Sequence, residues 1–254
     1  MQKFIRTVLA AAFVAGVAQV AQAHDGPELT KPGFSFDGVF GRYDAAALKR
    51  GYQVFHDVCS NCHSLRQVAY RDLVGIGLTE DEIKTIAAER EVQAGPNDEG
   101  QIVNRPGRAS DRYIPPFANE KAAAAANGGA TPPDLSLMAK ARAGGPNYIY
   151  SLLLGFEDTA PEGFTLPDGK FYNKIFAGHA ISMPPQVVDD LIAYADGTKA
   201  TKEQIAHDVV TFLNWAAEPE LDARKSLGLW VMGFLTVLTA LLYALKRQIW
   251  KDVH

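Results

Sequence analysis

Cys59-Ser60-Asn61-Cys62-His63 is the segment whose residue types and spacing most directly prescribe a chemistry. On a helical turn, residues three and four apart share one side. Two thiols so placed reach two vinyl groups of one porphyrin, and the histidine that follows presents a ring nitrogen to the iron. C-x-x-C-H is accordingly the attachment signature of c-type haem. Two other chemistries use a C-x-x-C pair. A dithiol–disulfide couple is normally carried by a βαβ unit, for which the strand pattern is missing. A zinc site needs further Cys or His ligands. Cys59 and Cys62 are the only cysteines, so a disulfide framework is excluded too.

A second axial ligand must come from elsewhere in the chain. Met1 leaves with a leader, and Met232 lies in an apolar run, which leaves Met138 and Met183. Met183 sits in Ala180-Ile181-Ser182-Met183-Pro184-Pro185, a loop stiffened by proline. Met138 falls at a helix start and reads as core packing. His56, His179 and His207 are rivals, and His179 is only four residues from Met183. Spacing and loop character favour Met183 but leave these alternatives open. A methionine ligand raises the potential of a haem and fills its coordination sphere. That suits one-electron transfer rather than substrate activation.

Both ends of the chain are apolar, for different reasons. Residues 1–23 combine Lys3 and Arg6, an apolar run and Ala21-Gln22-Ala23, the pattern of a signal peptide. Residues 226–245 carry no charge and are bracketed by Arg224-Lys225 and Lys246-Arg247. At ~1.5 Å per residue, such a run crosses a bilayer core of ~30 Å. The expected organisation is therefore a signal peptide (1–23), an exported domain (24–222), and an anchor with a short cytoplasmic tail (223–254). Seven of the 25 basic residues and one of the 29 acidic residues lie outside 24–222, so the exported domain is near −10. That surface does not suit nucleic acid; it would steer a basic partner.

Asp44 caps a helix toward His56, and Thr79 to Glu82 form a capping box. Asn119 caps a short alanine-rich helix, and Pro146 opens another. Val187, Val188, Leu191 and Ile192 repeat as a helix would. A second capping box, Thr201 to Gln204, starts a helix along Ile205, Val209, Phe212 and Leu213. Residues 94–118 and 157–185 read as long loops. The domain is expected to be mainly α, with loops ordered by a large bound cofactor.

The quoted segments resemble the cytochrome c1 family over nearly the whole mature chain. Lys49 to Ser64 is similar to its haem-attachment segment, as are Val68-Ala69-Tyr70-Arg71-Asp72-Leu73, Arg105-Pro106-Gly107 and Pro132-Pro133-Asp134-Leu135-Ser136. Gly144-Gly145-Pro146-Asn147-Tyr148, Ala180-Ile181-Ser182-Met183 and Asn214-Trp215-Ala216-Ala217-Glu218-Pro219-Glu220 match further family segments. The resemblance implies a class I-like cytochrome c domain with one C-terminal transmembrane helix. It implies one haem c held by Cys59 and Cys62, with His63 and Met183 as axial ligands. It also implies an electron-transfer subunit of a bacterial quinol–cytochrome c reductase. Electrons would come from a Rieske iron–sulfur subunit and leave to a soluble basic cytochrome c in the periplasm. Cytochrome b would be a neighbour in a dimeric complex of the inner membrane. The alternative is a membrane-anchored monohaem cytochrome serving another complex, such as a haem–copper oxidase. Ala124 departs from the family pattern, standing where the resemblance implies an arginine toward a haem propionate.

Overall fold

A computed structural model describes residues 26–252, so the leader expected at 1–23 lies outside the described residues. Seven α-helices are present among them: α1 (Ala45–Asp57), α2 (Glu80–Ala88), α3 (Glu120–Ala126), α4 (Met138–Ala141), α5 (Gly145–Leu154), α6 (Lys202–Ala217) and α7 (Leu221–Ile249). Two small antiparallel hairpins accompany them, β1 (Glu91–Pro96) with β2 (Ile102–Pro106) and β3 (Phe171–Tyr172) with β4 (Ala180–Ile181). Mainly helical with long connections, the fold agrees with the expectation from sequence.

The architecture turns on the crossing of α1 and α6, the most extensive helix contact. Asp44 starts α1 by accepting from Ala47 N–H at 2.8 Å. Gly51 lets the two helices close, since a Cβ there would lie 1.9 Å from the Asp208 carbonyl oxygen and 2.9 Å from Phe212 Cβ. Tyr52, Phe55 and Phe212 pack edge-on or tilted around that point, with ring centroids 5.5 Å apart for each contact with Phe212. Beside it, Asp208 is fully buried and accepts from Arg50 Nε at 2.8 Å and from Gln204 Nε2 at 3.0 Å. Thr201 therefore makes only half of the expected capping box. Its side chain accepts from Gln204 N–H, but the Gln204 amide turns to Asp208 instead.

Two expectations are corrected. Residues 185–200 form no helix. Pro184 and Pro185 offer no N–H, and Asp190 takes φ 57° while its N–H donates to Ala200 O at 2.7 Å. Of the four residues that suggested the helix, Val187, Leu191 and Ile192 still pack on the core, whereas Val188 is 53% exposed. The stretch 94–118 is not one loop either, because its first part belongs to the β1–β2 hairpin. Both strands are largely exposed, so no apolar alternation marks them in the sequence. The second part is zipped beside residues 66–71. Tyr113 N–H donates to Val68 O at 2.9 Å and Tyr70 N–H to Asp111 O at 3.0 Å. The Arg105–Asp111 ion pair at 2.6 Å closes it from behind.

After Glu218-Pro219-Glu220 the chain enters α7, which runs 29 residues and begins five residues before the uncharged run. Leu221 is buried against the domain, whereas Leu227, Trp230, Phe234 and Leu241 are all exposed. A helix apolar on every side and uncovered is built for lipid rather than water.

Candidate haem site

The C-x-x-C-H segment grows directly out of the end of α1. A helix leaves its last carbonyls without partners. Here Ser60 Oγ donates to His56 O at 2.6 Å, and Asn61 Nδ2 donates to Asp57 O at 3.0 Å. The two residues between the cysteines thus terminate α1. Cys62 N–H and His63 N–H both donate to Cys59 O, at 3.1 and 2.9 Å, which winds Cys59, Cys62 and His63 onto one turn. Neither thiol is bridged; Cys59 is half-buried on the core and Cys62 is exposed.

This placement separates the candidate chemistries. A redox-active dithiol needs a stabilised thiolate, typically at the positive N-terminal end of a helix. Cys59 follows the C-terminal end of α1, and burial pushes its thiol up to about 12, with Cys62 adding to the rise. Among the described residues no group of three or more His, Cys, Asp or Glu stands together as a metal ion would need. The donor set does fit a c-type haem: two free thiols and an imidazole on a single turn.

His63 is oriented by a second segment. Its Nδ1 lies 2.8 Å from the carbonyl oxygen of Pro133. A carbonyl only accepts, so Nδ1 carries the proton and Nε2 keeps its lone pair outward. Burial lowers the pKa of the ring, against the opposing pull of Pro133 O and Asp134, and keeps the imidazole neutral as a ligand must be. Residues 132–136 are themselves locked to residues 63–67. Asp134 Oδ2 accepts from Ser64 Oγ at 2.7 Å and Arg66 N–H at 2.9 Å; Oδ1 accepts from Ser136 N–H at 3.0 Å. Ser136 Oγ accepts from Gln67 N–H at 3.0 Å, and Leu135 N–H donates to Ser64 O at 2.9 Å. Burial would raise the Asp134 carboxyl, but these donors outweigh it and hold it below the usual carboxylate range.

Met183 stands in another part of the chain, half-buried just past β4. No hydrogen bond among the described residues joins its loop to the Cys59–His63 turn. The loop is held by Asn173, which is fully buried. Its Oδ1 accepts from Ile175 and Phe176 N–H at 3.0 and 3.1 Å, while Nδ2 donates to Leu152 O at 2.8 Å on α5. Lys170 Nζ donates to Ser182 Oγ, the neighbour of Met183.

The rival ligands are otherwise engaged. Met138 packs on the hydrophobic core. His179 stacks on Tyr172 with centroids 5.8 Å apart and faces Asn173 O. His56 sits between Asp57 and Glu89 at 3.0 Å each, and His207 stacks on Phe34 at 4.9 Å. A narrow crevice of about 20 Å³ opens beside Cys62, between Phe117 and Pro132. The larger cavity, about 570 Å³, lies past Pro185, between Leu153, Phe156 and Tyr172, and none of the four candidate ligating residues lines it.

Asp134 and Asn173 were not legible as site residues. Asp134-Leu135-Ser136 is an ordinary side-chain turn signal, and nothing local to Asn173 announces its burial.

A C-x-x-C-H turn whose histidine is oriented by a backbone carbonyl, on a helical domain with one long uncovered apolar helix, defines a membrane-anchored c-type cytochrome. The model of the cytochrome C1 family matches residues 34–253. Cytochrome c1 of Rhodospirillum rubrum is 56% identical over 98% of this chain and 97% of its own length. A cytochrome b/c1 of Bradyrhizobium diazoefficiens is 42% identical over 98% of this chain and 40% of its own length. A mitochondrial protein of Candida albicans, named as the cytochrome b-c1 complex catalytic subunit, is 50% identical over 85% of this chain and 75% of its own length. The chain belongs to the cytochrome c1 family, and its cofactor is haem c.

Proposed function

We propose that Cys59 and Cys62 hold one haem c through two thioethers and that His63 and Met183 are its axial ligands. The chain is the electron-transfer subunit of a cytochrome bc1 complex. In the fuller reading, single electrons come from a Rieske iron–sulfur subunit and pass to a soluble basic cytochrome c. Cytochrome b lies alongside in a dimeric complex. The observation that carries the His63 assignment is the 2.8 Å contact from its Nδ1 to Pro133 O, which leaves Nε2 free to coordinate.

The bound haem supplies a one-electron centre. The residues of the chain do the rest. His63 presents a neutral imidazole whose tautomer and direction are set by Pro133. Met183 would supply the second ligand of the bound group, a thioether that keeps small oxidants out. The lattice of Asp134, Ser64 and Ser136 holds the turn still, so little protein rearrangement accompanies each electron. The surplus of acidic residues in the domain attracts a basic acceptor at long range, with an on-rate that falls as salt rises.

The leader at residues 1–23 and the basic tail after residue 245 support a haem domain in the periplasm and a C-terminus in the cytoplasm, with α7 crossing the inner membrane among its lipids. Service to a haem–copper oxidase is not favoured, since the named relatives include a cytochrome b/c1 and a b-c1 complex subunit.

A haem stain on a denaturing gel tests the attachment, and co-purification with a b-type cytochrome tests the complex. A colourless polypeptide from cells with a working haem-ligation pathway would end the reading.

A further inference from the structure

The segment between residues 34 and 43 carries four large apolar side chains and divides them sharply. Phe34 and Phe36 are buried and stacked on each other, with ring centroids 4.9 Å apart. Val39 and Phe40 point outward, 67% and 79% exposed. This exposure is enforced by the fold. Phe34 O accepts from Asp37 N–H at 2.9 Å, and Asp37 Oδ2 accepts from Phe34 N–H at 3.0 Å. Arg42 N–H donates to Ser35 O at 3.0 Å, closing the base of the tip. At Gly41 the chain passes so close to itself that a Cβ would lie 2.0 Å from Asp37 O.

The tip is fastened to the start of α7. Lys225 Nζ donates to three carbonyls of this loop, Phe36 O and Gly38 O at 2.6 Å and Gly41 O at 3.1 Å. An ammonium has three donors, and all three are spent on the backbone that flanks Val39 and Phe40. Tyr43 adds to the joint. Its N–H donates to Asp222 Oδ1 at 3.2 Å, and its OH to Glu218 O at 3.1 Å. Lys225 is the last charged residue before the uncharged run 226–245. The tip and the first turns of the membrane helix are therefore one rigid block, and the tip sits at the level where that helix meets the bilayer surface. Trp230, 78% exposed, follows about 7–8 Å further along the helix axis, within the interfacial zone where aromatic rings concentrate. Arg42, two residues from Phe40, is exposed, as a phosphate headgroup would require, whereas Arg224 is paired with Glu218 at 2.5 Å.

We propose that Val39 and Phe40 form a second membrane contact, a wedge that enters the headgroup–acyl boundary beside α7 and fixes how far the haem domain stands from the bilayer. The occupant of the surface is phospholipid. The case for it is the continuity of this small convex tip with the membrane-facing helix to which Lys225 ties it. A single helix leaves a domain free to tilt; a second, rigidly linked point of immersion removes that freedom. The inference rests on α7 spanning the membrane.

The test uses the full-length chain in its complex, reconstituted into phospholipid nanodiscs. Phe40→Cys, and separately Val39→Cys, is labelled with a nitroxide. Collisions with oxygen, which concentrates in lipid, are compared with collisions with a water-soluble nickel chelate. Asp98→Cys, on the exposed β1–β2 turn, serves as the aqueous reference, and Leu235→Cys as the reference within the bilayer. Labels at 39 and 40 are expected to favour oxygen, at a depth shallower than Leu235. Preference for the nickel chelate, as at Asp98, would overturn the proposal. So would protection from both reagents, because another subunit would then cover the tip. If Leu235 itself behaves as aqueous, the spanning helix is wrong, which is a different failure.

Discussion

The side chain of His63 and the carbonyl of Pro133 meet at 2.8 Å across a sequence separation of 70 residues. That contact decides which imidazole nitrogen is available, and it ties the electronic character of the site to a neighbouring segment. Potential and fold are coupled there. With His63 as the proposed ligand, a change in residues 132–136 would reach the iron without touching any ligand.

Replacing Ser64 by Ala removes one of the donors that hold Asp134 and leaves every charge in place. A looser Pro133 carbonyl weakens the hydrogen bond that makes the imidazole a stronger donor. The ferric state is then less favoured, so the midpoint potential is expected to rise, with haem still covalently bound. Asp134→Asn is expected to raise it further. A redox titration reads both. If Asp134→Asn moves the potential and Ser64→Ala does not, the effect is one of charge and not of positioning.

Met183→Leu removes the proposed sixth ligand and leaves the thioethers untouched. Its midpoint potential is expected to fall, since a thioether ligand favours the reduced state. For a one-electron couple each ~59 mV is a tenfold change in the transfer equilibrium. An unchanged potential would return attention to His179 or Met138.

Gly51→Ala tests the helix crossing. On an open helix face this change stabilises by up to ~1 kcal/mol. At Gly51 the sign reverses, because the new Cβ meets a backbone carbonyl 1.9 Å away. Separating α1 from α6 is expected to cost at least ~1–3 kcal/mol, the usual range for overpacking. Thermal unfolding of the haem-loaded protein measures it, and a raised Tm would show that the crossing yields freely.

Asp208 predicts the acid limb of stability. Burial raises its carboxyl, but hydrogen bonds from Arg50 and Gln204, with the His207 ring 3.8 Å away, outweigh that and hold its pKa below the ordinary carboxylate value. A depressed folded-state pKa contributes stability above the unfolded value of ~3.9, and that contribution is lost as pH falls through the folded value. Asp208→Asn is expected to be less stable at pH 7 and to lose less on acidification. Asp208→Ala removes one of the two carboxylates that Arg50 pairs with, Asp196 remaining at 2.8 Å, so the expected cost is below the ~3–5 kcal/mol typical of leaving a buried charge unpaired. Parallel acid-unfolding curves for Asp208→Asn and the unmodified protein would contradict the assignment.

Much of this protein was already decided by local chemistry. Cys59, Cys62 and His63 lie within five residues, so their convergence needs only one turn of backbone. The caps at Asp44, Thr79 and Asn119 are likewise contacts over three residues, and each appears where the sequence placed it. The run 226–245 announces its helix by length and lack of charge alone. Tertiary structure decided what depends on distant partners. The apolar residues of 187–192 repeat as a helix does, yet the chain turns at Asp190, whose N–H donates to Ala200 O, and only Val187, Leu191 and Ile192 pack on the core. Gln204 could complete a capping box, but Asp208, buried by Arg50 from another helix, takes its amide. Asp134 becomes a positioning residue because a remote segment brings it the Arg66 N–H, and Asn173 because a remote helix brings it the Leu152 carbonyl to donate to. A polar side chain's role follows from which groups burial leaves unsatisfied, and that is set by packing across the whole chain.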